Sequence, residues 1–191
     1  MDFSMRYVQP IKDKEQLQEF EDYLKNKNPR DYIMFLLGVN LGLRISDILP
    51  LKVKDVRNKQ SVKVYEEKTG KFNQIIINHE LKRALAEYTK GMKDNDYLIK
   101  SRKKTETGRQ QHIDRVQAYR ILRDAAKAVG YRGDIGTHSL RKTFGYRFYQ
   151  KSGGDVGALM RLFNHDDQTI TLRYIGIEQE QVDDIIMNLH K

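Results

Sequence analysis

Arg44, Lys68, His138, Arg141, His165 and Tyr174 follow one another along the chain at telling intervals. Lys68 lies 24 residues beyond Arg44, His165 lies 24 beyond Arg141, and Tyr174 nine beyond His165. Two arginines, a lysine, two histidines and a tyrosine suit an attack on a phosphodiester. Extra negative charge builds on the non-bridging oxygens in that reaction, so catalysis is mostly positioning and charge stabilisation. A guanidinium stays protonated and its planar fork matches two phosphate oxygens, which makes Arg44 and Arg141 the candidate clamp. Each sits near the start of an expected helix, where unpaired amides add positive potential. Asp47, three residues after Arg44 on the same helical face, is placed to support that guanidinium. His138 and Arg141 share the same offset and should project together. Lys68, at the expected hairpin tip Glu67-Lys68-Thr69-Gly70-Lys71, is placed to protonate a departing alkoxide. Tyr174 is the candidate nucleophile. A phenol with an ordinary pKa of about 10 needs a nearby base or cation to lose its proton at neutral pH.

Taken singly, each residue has an ordinary reading. Arg44 and Asp47 suit a helix-surface ion pair, His138 a polar helix start, and Lys68 and Lys71 a solvated hairpin. Tyr174 is one of eleven tyrosines. The ordered set carries the argument, not any member of it.

The elements that must position these groups are legible from caps and periodicity. Residues 13–27 place Leu17, Phe20 and Leu24 at helical spacing behind a capping Asp13. Asn28-Pro29 ends that helix, and Pro29 suits the first turn of the next. Residues 30–41 are apolar nearly all round, the pattern of a buried central helix. A short helix follows over 42–49 and stops at Pro50. Residues 51–77 change period, with strands around a turn at Thr69-Gly70. From His79 the pattern is helical again. Residues 100–112 are basic and unperiodic and read as a loop, either merely solvated or lying on a phosphate backbone. Helices are expected at about 114–129, 138–151, 155–163 and 167–174. A last one over 179–189 carries Val182, Ile185, Ile186 and Leu189 as an apolar stripe. The fold class is therefore α+β, mainly helical, with a small antiparallel sheet of about three strands. No Gly/Ser/Pro-rich linker divides the chain, so one domain is expected.

The 191 residues carry 35 Lys and Arg against 26 Asp and Glu, a net charge of +9, which favours a polyanionic partner. Cysteine is absent, excluding disulfides and thiolate-metal sites. The first ten residues have no apolar core of signal-peptide length, and the longest apolar stretch, 33–43, is too short to span a bilayer. A soluble cytoplasmic protein without membrane association is expected.

These residues reach a known family. The chain resembles the catalytic domain of the tyrosine recombinases, or phage integrases, over roughly residues 10–185. Gly42-Leu43-Arg44-Ile45-Ser46-Asp47-Ile48-Leu49 is similar to the family's first-arginine box, and Lys68-Thr69-Gly70-Lys71 looks like its hairpin lysine. Thr137-His138-Ser139-Leu140-Arg141-Lys142-Thr143-Phe144 matches the His-x-x-Arg box. Asn164-His165-Asp166-Asp167 and Thr169–Tyr174 resemble the final histidine and nucleophile boxes. The resemblance implies that Arg44, Arg141 and His165 hold the scissile phosphate, with Asp47 supporting Arg44. It implies that His138 assists proton transfer at Tyr174 and that Lys68 acts as acid toward the leaving 5′ oxygen. The product would be a 3′-phosphotyrosyl link, formed without metal, nucleotide or other cofactor. Double-stranded DNA is the implied partner, bound by a homo-tetramer that forms from monomers. Lys71, Lys100, Arg102, Lys103, Lys104 and Arg115 are candidates for contacting it.

Two departures from the family pattern bear on the site. Asn164 stands where glycine is usual, and asparagine also tolerates a left-handed backbone. Asp47 is one methylene shorter than the usual glutamate. The reading divides the chain into an extension (1–10), a catalytic domain (11–178) and a tail (179–191), with no N-terminal core-binding domain. The tail either packs on its own domain or docks on a neighbouring protomer. Two other classes compete. A DNA-binding regulator with this fold would need no Tyr174. A metal-dependent phosphohydrolase built on His138, His165, Asp166 and Asp183 would leave Arg44, Arg141 and Tyr174 without a role.

Overall fold

The computed structural model describes residues 8–65, 70, 72–177 and 187. Six of the eight described α-helices start at a capping side chain. Asp13 accepts the Gln16 amide at 2.7 Å and opens α1 (Lys14–Lys27). Asn28 closes α1 through its own amide to the Leu24 carbonyl. Its side chain also caps α2 (Pro29–Leu41) by accepting from the Arg30 amide. One residue thus ends one helix and starts the next, with Pro29 in the first turn as expected.

From Ile33 to Leu41 every residue of α2 is buried, and the helix packs against α1, α4 (His79–Tyr88) and α6 (Thr137–Lys151). It lies against α6 at Gly38, where an added Cβ would lie 2.5 Å from Leu140. The short α3 (Ile45–Ile48) follows α2, and a 3-10 turn covers Val53–Asp55. Strands β1 (Ser61–Tyr65) and β2 (Phe72–Ile76) pair antiparallel, with Ser61 opposite Ile76 and Tyr65 opposite Phe72. The hairpin tip with Lys68 and Lys71 lies outside the described residues, as does the expected helix over 179–189 apart from residue 187.

The basic segment read as a loop folds instead as a second hairpin, β3 (Lys100–Lys104) with β4 (Gln110–His112). The described strands therefore form two two-stranded sheets in place of one sheet of about three. Arg102, Lys103 and Lys104 are all exposed, so neither face needs apolar residues and the alternation that marks a strand never appears. The turn closes by hydrogen bonds from the Gly108 amide to the Thr105 carbonyl and from the Thr105 amide to the Arg109 carbonyl.

Helices α5 (Arg115–Ala128), α6, α7 (Val156–Phe163) and α8 (Gln168–Tyr174) complete the described chain. The main core runs from Ile11 to Leu140. A smaller apolar cluster of Leu159, Phe163 and Ile175 joins α6, α7 and α8, with Phe144 and Tyr174 packed around it. Among the described residues no helix is long and apolar enough to cross a membrane.

Glu21 on α1 is buried, in the field of Glu80 and Arg147. Burial first, then the Glu80 charge, push its pKa up to about 7. The folded state holds this proton more tightly than the unfolded chain does. The associated stability is complete below the unfolded value of 4.5 and is lost as pH rises through about 7. Glu21→Gln should therefore exceed wild type by roughly 2–3 kcal/mol at pH 8 and by nothing at pH 4, measured by urea unfolding at each pH.

Candidate active site

The first arginine is presented by a helix end. Helix α2 stops at Gly42, whose φ of 62° is left-handed and whose position faces the Phe144 ring closely enough to exclude a side chain. The chain then extends through Arg44, whose carbonyl accepts the amides of Asp47 (2.9 Å) and Ile48 (3.1 Å) to start α3. The half-buried Arg44 faces a cavity of about 520 Å³ that is also lined by Arg115, Thr137, His138 and Arg141. Asp47 is buried one turn into α3 and lines an adjoining cavity with Arg115.

Arg141 enters the cavity from α6 but is only 2% exposed. Its guanidinium donates to the Gly42 carbonyl at 2.6 Å and to the Phe163 carbonyl at 3.1 Å, and lies 4.4 Å over the Phe163 ring. Two carbonyls and a ring fix the plane of the fork. His138 stands one turn earlier on α6 with its side chain accessible to solvent. Loss of hydration, then repulsion from Arg115, Lys142, Arg141 and Arg44, holds its pKa below the ordinary imidazole value of 6.5. The ring is therefore neutral at pH 7 and able to accept a proton. Arg115→Ala should raise the His138 midpoint, as read by NMR titration of the DNA-free chain. An unchanged midpoint would mean that the Arg115 charge is not felt there.

His165 and Tyr174 occupy the smaller apolar cluster. Asn164 ends α7 with φ 54° and ψ 45°, the left-handed conformation anticipated for it. Behind it the His165 amide bonds the Met160 carbonyl at 3.0 Å. The Thr171 hydroxyl donates to the Asp167 carbonyl at 2.7 Å, so its oxygen accepts from His165 Nδ1 at 3.1 Å. This assigns the Nδ1 proton from the hydrogen-bond pattern. The Tyr174 ring meets His165 edge-on at 5.4 Å and Phe163 edge-on at 5.6 Å. Phe163 thus joins the two groups: Arg141 stacks on it, and His165 and Tyr174 pack against it.

Arg44, His138 and Arg141 share one cavity, and His165 and Tyr174 share the adjoining cluster. Lys68 and Lys71 lie outside the described residues. Lys100, Arg102, Lys103 and Lys104 are on β3 and do not line that cavity. Arg102 and Lys103 instead border a separate basic cleft with Lys27 and Arg120. Arg115, read only as a candidate DNA contact, proves to face His138 in the cavity. Lys142 received no role in the sequence reading, yet it is 3% exposed beside Tyr174. No local sequence pattern marks it, because the contact arises from the packing of α6 against α8. Among the described residues no group of three or more His, Cys, Asp or Glu could hold a metal ion.

The sequence profile of the phage integrase family matches residues 12–181. A probable integrase/recombinase of Bacillus subtilis, YoeC, is 52% identical over 176 residues, which cover 92% of this chain and 93% of that protein. The crystal structure of XerA recombinase aligns with all of this chain at a TM-score of 0.74 and 21% identity, and 66% of XerA is covered. XerH recombinase bound to palindromic difH substrate, in a post-cleavage complex, aligns at 0.73 and 17% identity over all of this chain and 56% of that one. The chain thus spans nearly all of the Bacillus relative and between half and two thirds of the two structural ones.

Proposed function

This chain belongs to the phage integrase family, and on that premise we propose that it is a site-specific DNA recombinase that cleaves and rejoins strands through Tyr174. The phenolic oxygen bonds to phosphorus as the bond to the 5′ oxygen breaks, leaving a 3′-phosphotyrosyl link and a free 5′ hydroxyl. His138, neutral at pH 7, takes the phenol proton, and Lys68 protonates the leaving oxygen. Arg44 and Arg141 clamp the non-bridging oxygens, with Asp47 supporting Arg44. His165 keeps one proton on Nδ1, so it must carry a second on Nε2 to donate to the phosphate as well. A hydroxyl from a second strand then reverses the attack. The adduct conserves the bond energy, so neither nucleotide nor metal is called for.

The observation that carries this reading is the meeting of Arg44, His138 and Arg141 at one cavity, with Phe163 joining Arg141 to Tyr174. A binding protein would have no use for that junction. The DNA backbone beyond the scissile phosphate is assigned to Arg115, Lys71, Lys100, Arg102, Lys103 and Lys104. In this reading the protein acts in the cytoplasm, is monomeric when free and forms a homo-tetramer on DNA.

The test starts from a library of nicked duplexes with randomised sequence, incubated with the full chain in the presence of a chelator. Denaturation-resistant protein–DNA adducts are recovered and sequenced. Enrichment of one site, with the DNA linked through a phosphotyrosine, is the expected result. Sequence-selective binding without any adduct would overturn the recombinase reading in favour of a regulator. Cleavage that appears only when a divalent metal replaces the chelator, and that survives Tyr174→Phe, would favour a hydrolase.

A further inference from the structure

Lys142 is a lysine where burial alone would select an apolar residue. It follows Arg141 on α6, is 3% exposed, and donates to the Val8 carbonyl at 2.7 Å. Its ammonium lies 5.2 Å from the centre of the Tyr174 ring. A buried lysine is costly to keep charged, and desolvation pushes its pKa down to about 8. At neutral pH it still carries its proton, so the charge is held against the face of one tyrosine among eleven.

We infer that Lys142 is a positioning residue for the nucleophile, its buried ammonium both orienting the Tyr174 ring and favouring the phenolate over the phenol. This rests on the reading of Tyr174 as the attacking group. The ammonium takes no proton from Tyr174. It stabilises the anion left when the phenol proton passes to His138 or to water. The interaction is mutual, since a phenolate beside a desolvated lysine offsets the cost of burying that charge. A cation over an aromatic face is attracted to the ring even before ionisation, which fixes the ring between α6 and His165.

Other charges face the same tyrosine from each element around it. His165 approaches from the α7–α8 turn, and Arg141 on α6 stacks on Phe163, which meets the Tyr174 ring edge-on. Arg173 precedes Tyr174 on α8. From the N-terminal segment, Lys12 donates to the Gly176 carbonyl at 2.6 Å, two residues beyond the phenol. The same segment supplies the Val8 carbonyl that holds Lys142, so residues 8–12 brace both the lysine and the end of α8.

The test needs no DNA, so its outcome is separate from that of the adduct assay. The full chain is prepared with 3-fluorotyrosine at position 174 alone, and its fluorine resonance is followed against pH. Lys142→Met should weaken phenol ionisation by about tenfold, one unit of pKa, while Lys142→Arg should stay close to wild type. Coincident titrations of wild type and a folded Lys142→Met would overturn the inference. If Lys142→Met does not fold, wild type decides. Its midpoint should lie below that of the same label placed instead at the exposed Tyr65, and an equal or higher midpoint would overturn the inference.

Discussion

Tyr174→Phe is expected to abolish the covalent adduct, a loss of at least about 10⁴-fold, while leaving DNA binding within about twofold of wild type. The ring of residue 174 makes edge contacts with His165 and Phe163 and lies under the Lys142 ammonium. Phenylalanine preserves all three and removes a single oxygen. The change in folding stability should stay within about 1 kcal/mol. The attacking oxygen must align with the bond that breaks, and among the described tyrosines only Tyr174 makes a ring contact with Phe163, on which the Arg141 fork stacks. Trapping on the selected nicked site, with filter binding as the companion measurement, gives both numbers. An adduct of undiminished yield from Tyr174→Phe would remove Tyr174 from the chemistry.

Arg141→Ala should be damaging on two separate scales. The Gly42 and Phe163 carbonyls would lose their partner in a buried site, and the Phe163 ring would lose its stacked cation. A cost of about 2–4 kcal/mol in urea unfolding is expected from the orphaned acceptors and lost packing. Adduct formation should fall by about 10³-fold or more, measured where the variant is still fully folded. Arg141→Lys separates charge from geometry. A lysine keeps the positive charge but is a point donor and cannot span both carbonyls as the fork does. It should recover binding far better than it recovers adduct formation. Equal recovery of both would mean that Arg141 acts through charge alone.

Much of the scaffold was legible because it is written in local chemistry. Asp13, Asn28 and Pro29 fix helix ends through short-range hydrogen bonds and a locked φ, so their residue types suffice to place them. The left-handed turn at Asn164 was legible through the family resemblance, which puts glycine at that position, and through the tolerance of asparagine for that backbone. The β3–β4 hairpin was not, because its strands are solvated on both faces and carry no hydrophobic alternation. The candidate site divides in the same way. Spacing put His138 beside Arg141, since one helix carries both. That Arg115 faces His138, and that Lys142 faces Tyr174, follows from how α5, α6 and α8 pack. Both are long-range facts that no local pattern states.

The bare backbone of Gly38 has a reach beyond the core it sits in. It lets α2 settle onto Leu140, and each of these two residues lies only a few positions ahead of an arginine of the candidate clamp. Arg44 trails α2 through the turn at Gly42, and Arg141 directly succeeds Leu140. In the proposed clamp, the spacing of Arg44 and Arg141 thus depends on how tightly two interior helices nest. A bulkier residue at 38 would spread the jaws while leaving every charged group intact. Such a lesion would mimic loss of an arginine without touching one.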